Sequence, residues 1–227
     1  MGRPRLYATR AEKDAAYYQR QQYRRMLRPL PPGPYRVLYA DPPWTYFKRD
    51  PNFHGYAANH YPTMSIAELC ALPVRKIAAP QAVLFLWITP ALLCEGLPVM
   101  RAWGFLYKTC LVWDKIRMIH GKDLGNQHEL LLVGTRGACK PDTEELEATV
   151  RRLPPTTHST KPTEFRLLIE HLYKTGPYLE LFARQKAEGW ESWGNALADL
   201  SPVEEPAADV PEAVPAQFEL SRRPRHS

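Results

Sequence analysis

Residues 41–44 read Asp-Pro-Pro-Trp, directly after the apolar run Arg36–Ala40. The set combines a carboxylate, a backbone carbonyl, an aromatic face and two prolines, and it suits chemistry on an aromatic amine. The exocyclic amine of adenine is a poor nucleophile because its lone pair is delocalised into the ring. Hydrogen bonds accepted from that amine by Asp41 and by the carbonyl of Pro42 return electron density to nitrogen as an electrophilic methyl group arrives. Pro42 and Pro43 fix φ, so the acceptors are aimed before the substrate enters. Trp44 offers a flat face on which an extruded base can stack. Asp41 need not take a proton itself; orientation and electrostatics suffice, with deprotonation following transfer. The same four residues would also serve as an ordinary turn after a strand.

The elements that must hold this loop are legible as short apolar runs. Arg36–Ala40, Ala82–Ile88, Thr109–Trp113, Glu129–Gly134 and Tyr178–Ala183 are almost continuously apolar, as strands buried on both faces are. Helical stretches fall between them, at Pro90–Trp103 and Thr163–Lys174. In the second, Phe165, Leu168, Ile169, Leu172 and Tyr173 repeat at i, i+3, i+4, i+7 and i+8 and form one apolar face. Strands alternating with helices predict an α/β fold, a mostly parallel sheet with helices on both faces. Ligands in such sheets bind beyond the carboxyl ends of the strands, where Asp41 stands.

Two connections are read as the substrate side. Residues 45–64 interleave Lys48, Arg49, His54 and His60 with Tyr46, Phe47, Phe53, Tyr56 and Tyr61, and cations mixed with aromatics suit a nucleic-acid strand. Residues 115–127 carry Lys115, Arg117, His120 and Lys122, with Gly121 and Gly125 between them. Both are also compatible with plain solvated loops.

Composition bounds the rest. The 227 residues carry a formal charge of +6, and a basic chain favours polyanionic partners. Cys70, Cys94, Cys110 and Cys139 lie far apart without CxxC spacing, which argues against zinc or a disulfide framework and predicts a cytoplasmic setting. His128 and Glu129 resemble ligands, yet a metal site needs more donors; no metal is expected, and the two are read as loop-organising or substrate-side groups. No apolar run reaches 18 residues, so no membrane span is expected. Residues 1–34 form a basic segment, with a helix expected over 11–27, closed by the Pro-rich stretch 29–34. Residues 35–197 form the main domain, and residues 198–227, rich in Pro, Ala and Glu, read as a flexible tail.

Taken in order, VLYADPPW, YPTMS, VLFLWIT, Trp103-Gly104-Phe105, HELLLVGTRG, HSTKPTE, YLELFAR and WGNAL resemble the Asp-Pro-Pro-Trp (MT-A70-like) adenine methyltransferase family over residues 36–197. The resemblance implies a Rossmann-like class I methyltransferase sheet with permuted motif order, the catalytic motif preceding the cofactor motif. It also implies S-adenosylmethionine as cofactor, with Asp41, Lys161, Glu180, Arg184 and Asn195 beside it. Lys161 matches a lysine near the methionine carboxylate. A structural pairing of Glu180 with Arg184 is the alternative for those two. Gln185-Lys186-Ala187 departs from the family pattern, which leaves ribose contacts there open. The chain is little more than a catalytic domain, and in that it resembles stand-alone prokaryotic and phage members, so DNA is favoured over RNA as substrate. The same reaction on RNA, or a non-catalytic nucleic-acid-binding subunit, are the competing readings. A homodimer or an unidentified partner subunit is left open.

Overall fold

The computed structural model describes residues 9–10, 29–45, 63–119, 125–155 and 160–194. The helix expected over 11–27 and the tail 198–227 lie outside them, as do Tyr46, Lys48, Arg49, His54, Tyr61, His120, Lys122 and Asn195.

Among the described residues the chain runs β1 (Tyr35–Ala40), α1 (Ile66–Ala71), α2 (Val74–Ile77), β2 (Ala78–Ile88), α3 (Leu93–Ala102), β3 (Leu106–Ile119), β4 (Asn126–Arg136), β5 (Val150–Arg152), α4 (Thr163–Leu172), β6 (Tyr178–Leu181) and β7 (Trp190–Trp193). The strands make one seven-stranded sheet in the order β5-β3-β4-β2-β1-β6-β7. β1 pairs parallel with β2 on one side and with β6 on the other. β6 pairs parallel with β7, and β3 with β5, whereas β4 runs antiparallel to both β2 and β3. The sheet is therefore mixed. Each of the five strands read from apolar runs is present, and two short ones, β5 and β7, were not legible. Residues 115–127, read as a loop, are largely the arms of the β3–β4 hairpin.

Alternation along the central strands sends side chains to two cores, as the period of a strand requires. Leu38, Ala40, Leu84, Leu86 and Ile88 pack with Leu69 of α1 and with Val99 and Met100 of α3. Val37, Tyr39, Val83, Phe85 and Trp87 pack on the opposite face with Phe165, Leu168 and Ile169 of α4. Helices thus cover both faces, and the apolar face of α4 is the one its periodicity predicts. α1 starts on a capping box: Ser65 Oγ accepts from the Glu68 amide, while Glu68 accepts from the Ser65 amide at 2.7 Å.

The 41–45 loop is fixed from both sides. Trp44 forms a bridge with Met64, and the Met64 amide donates to the Pro43 carbonyl at 2.7 Å while the Thr45 amide donates to the Met64 carbonyl at 3.1 Å. The Trp44 indole is only 5% exposed and donates through Nε1 to the Trp87 carbonyl at 2.9 Å. This differs from the stacking platform read from residue type. The ring belongs to the core, because a buried indole N–H must find an acceptor and the neighbouring strand supplies one. Trp44→Phe keeps an aromatic ring, though a smaller one, and removes that donor. It is expected to cost about 1–3 kcal/mol, visible as a fall of several degrees in Tm; an unchanged Tm would show that the bond does not hold the loop.

Candidate active site

β1 is where the sheet changes direction, since the chain reaches parallel partners on either side of it. The crevice beyond its carboxyl end is the topological switch point, the usual ligand position in such sheets. Asp41 follows β1 there. An open cleft lies at this point, bordered by Asp41, Lys161, Arg166, Glu180, Phe182 and Arg184. The structure thus brings together the carried-over residues Asp41, Lys161, Glu180 and Arg184, from stretches up to 143 positions apart in sequence.

Two backbone features shape the cleft. Phe182, just past β6, has φ 63°, a left-handed conformation that a bulky side chain adopts only when its surroundings impose it. Its ring packs edge-on against Trp193 of β7. Gly194 lies so close to this turn that an added Cβ would sit 2.3 Å from the Ala183 carbonyl oxygen. Glycine is required there because the backbones themselves touch.

Lys161, one residue before the Pro162 that precedes α4, reaches back across the cleft. Its ammonium meets Asp41 Oδ2 at 2.8 Å and Glu129 Oε2 at 3.2 Å, and it lies 5.5 Å from the centre of the Trp87 ring. Glu129 Oε1 in turn meets the Lys115 ammonium at 2.5 Å, which lies 4.9 Å from the centre of the Trp113 ring. Four charges of alternating sign therefore run Asp41–Lys161–Glu129–Lys115. Burial opposes the Lys161 charge, but Asp41 and Glu129 outweigh it and raise its pKa above the ordinary lysine value. Burial likewise opposes the Glu129 charge, and Lys161 and Lys115 overcome it, holding that carboxyl below its ordinary 4.5. Because the folded value is lowered, this carboxylate contributes stability above the unfolded pKa and loses it as pH falls through the folded one.

Glu180 is the second carboxylate of the cleft. It forms an ion pair with Arg166 of α4, at 2.7 Å. Burial raises the Glu180 pKa, with Arg166 opposing and the charge of Asp41 adding to the rise. Tyr39, beneath the same cleft, accepts from Trp87 Nε1 at 2.7 Å and is held by burial well above the usual phenol range.

The placement corrects one substrate-side assignment. Lys115, read as a phosphate-facing cation on a loop, is 8% exposed and committed to Glu129. A chain bend turns it inward: register between β3 and β4 breaks between Asp114 and Ile119, and Ile116 has φ 67°. Asp114 holds that bend by accepting from the Ile116 amide, from Gln127 and from Arg152. Arg117, beyond the bend, is exposed. Of the network partners, Glu129 was read only as a loop-organising or substrate-side group, and Arg166 carried no role from sequence. Glu129 had one visible signal, an acid opening an otherwise apolar strand; Arg166 had none, because an arginine on a half-exposed helix flank is ordinary.

The donor set fits S-adenosylmethionine. Asp41 and Glu180 offer carboxylates to a sulfonium and to sugar hydroxyls, Lys161 and Arg184 offer cations to a carboxylate, and the Ala183–Gly194 contact leaves bare backbone beside them.

The MT-A70 family profile matches residues 35–196. The Mycoplasma Type II methyltransferase M.MunI is 35% identical over 75% of this chain and 81% of its own length. The human N(6)-adenine-specific methyltransferase METTL4 is 28% identical over 74% of this chain and 38% of its own. The human N(6)-adenosine-methyltransferase catalytic subunit METTL3 is 26% identical over 73% and 28%. The match spans every described strand and helix and both carboxylates of the cleft, and the chain belongs to the MT-A70 family.

Proposed function

We propose that the protein transfers the methyl group of S-adenosylmethionine to the 6-amino nitrogen of adenine in DNA. The observation that carries this reading is the placement of Asp41, in a loop rigidly tied to Met64 and Trp87, at the mouth of a cleft whose other residues suit the cofactor. Family membership and the enzymatic names of the relatives support it. DNA is favoured because likeness to the Type II methyltransferase is stronger, and covers far more of that relative, than likeness to METTL3. We further place the enzyme in the cytoplasm: all four cysteines are free thiols, and among the described residues no helix is long and apolar enough to cross a membrane.

When bound, S-adenosylmethionine supplies an electrophilic methyl group on a positively charged sulfur. Asp41 and the Pro42 carbonyl accept from the adenine amine and point its lone pair at that methyl group. Lys161 engages Asp41 through Oδ2, so Oδ1 is the oxygen that faces the amine. Lys161 also serves the cofactor carboxylate, and Glu180, oriented by Arg166, serves its ribose. Asn195, by resemblance, adds a further cofactor contact. Tyr46, Lys48, Arg49, His54 and Tyr61, with Arg117, His120 and Lys122, form the substrate side.

Incubation with isotopically labelled S-adenosylmethionine and matched duplex DNA, single-stranded DNA and RNA, followed by digestion to nucleosides, tests the reading. Label is expected in N6-methyldeoxyadenosine. Label only in the ribonucleoside moves the substrate to RNA. Cofactor binding without label points to a partner subunit, and neither binding nor label makes the protein a binding module.

Asp41→Ala is expected to reduce turnover by on the order of 10³-fold with Tm within a few degrees, because Lys161 keeps Glu129 as partner. Retention of most activity would remove Asp41 from the chemistry. Lys161→Ala is expected to weaken S-adenosylmethionine binding more than DNA binding, measured by calorimetry on each ligand; the reverse order would reject the cofactor role.

A further inference from the structure

We propose that Glu129 and Lys115 are positioning residues that divide the charge of Lys161 between two carboxylates, so that Asp41 remains a strong hydrogen-bond acceptor for the substrate amine. The proposal rests on the reading of Asp41 as that acceptor.

An ammonium placed 2.8 Å from a half-buried carboxylate is a mixed asset for this chemistry. It fixes the carboxylate in one orientation, but it also draws electron density from the oxygen that must accept from the amine. A second carboxylate on the far side of the ammonium relieves this. Glu129 stands there, at 3.2 Å, on a different strand from the element that leads to Asp41. Left unbalanced, Glu129 would draw Lys161 away from Asp41 altogether, since both carboxylates compete for one cation. Lys115, on the other oxygen of Glu129, provides that balance. The four groups sum to zero formal charge, which suits their burial.

The inward path of Lys115 is built, not incidental. The register break after Asp114, the left-handed Ile116 and the three hydrogen bonds accepted by Asp114 together turn Lys115 under the hairpin. The groups that face Asp41 and Glu129 from the surrounding elements are Tyr39 of β1, Lys115 of β3, Lys161 before α4, and Glu180 of β6 with its partner Arg166.

The test reads Glu129 directly, independently of methyl transfer. Its side-chain carboxyl is followed by carbon-13 NMR across pH in the full-length wild-type protein, Asp41→Asn and Lys115→Gln. Shared charge predicts opposite displacements of its midpoint, each on the order of one pH unit. The midpoint moves down in Asp41→Asn, where Lys161 turns wholly to Glu129, and up in Lys115→Gln, where one cation is lost. A midpoint that does not respond to Asp41→Asn, or moves in the same direction in both variants, overturns the proposal. The activity arm uses Glu129→Gln and Lys115→Arg. Glu129→Gln is expected to bind S-adenosylmethionine within about threefold of wild type, to lose on the order of tenfold in kcat, and to displace the acid limb of its pH–rate profile to lower pH. Lys115→Arg, which keeps the charge, retains most of kcat. A Glu129→Gln enzyme whose activity falls only in step with its Tm, with an unmoved pH profile, shows a structural brace and overturns the proposal. Absence of methyl transfer by the wild type would defeat the proposed function while leaving the NMR result to stand or fall separately.

Discussion

An ammonium removed from water must be met by carboxylates or it will not stay charged, and Lys161 is met from two directions at once. Desolvation of such a group costs several kcal/mol before any partner is counted, so its position is determined by Asp41, Glu129 and the Trp87 ring acting together. Those three partners come from the loop after β1, from β4 and from β2, and Lys161 itself from the approach to α4. One side chain thus ties the cleft-lining loop after β1 and the approach to α4 to the strands β2 and β4. The neighbouring Arg166–Glu180 pair repeats the arrangement on a smaller scale, joining α4 to β6. Both pairs lie on the α4 side of the sheet, and the opposite side carries the apolar core packed against α1 and α3.

Sequence revealed the strands that are buried on both faces, because continuous apolar runs such as Val83–Ile88 have one good explanation. It did not reveal β5 or β7. Val150–Arg152 is two-thirds arginine, and Trp190–Trp193 is four residues long with two polar residues between its tryptophans, so neither departs from what a loop would show. The orientation of β4 was equally hidden, since parallel and antiparallel neighbours bury the same residue types. At the site, Asp41, Lys161, Glu180 and Arg184 were legible by resemblance and converge on one cleft. Their pairings were not legible. Asp41 and Lys161 are 120 positions apart and Lys161 and Glu129 are 32 apart, and distances of that kind are set by topology, which residue spacing does not report.

Aromatic residues show the same division. Trp44, Trp87, Trp103 and Trp113 all look, as residue types, like candidates for stacking on a base. Each donates its indole N–H to an acceptor inside the protein: Trp44 to Trp87, Trp87 to Tyr39, Trp103 to Leu69 and Trp113 to Leu153. These bonds make the tryptophans fasteners between adjacent elements. A buried indole must have such a partner, so once the fold buries the ring the fastener role follows. The rings of Trp87 and Trp113 also serve the charge network, as the faces beneath the Lys161 and Lys115 ammonium groups.

The in-register pairing of β1 with β6 has a consequence for the order of events in folding. Tyr39 lies opposite Glu180 and Ala40 opposite Leu181, although some 140 residues separate them in the chain. Closing so long a loop is slow compared with forming the β3–β4 hairpin or α4, whose contacts are local. During synthesis, a chain that has not yet released residues 178–184 lacks the wall that carries Glu180, Phe182 and Arg184. That wall therefore joins the Asp41 side only when nearly the whole domain is made, and the cleft is complete only then.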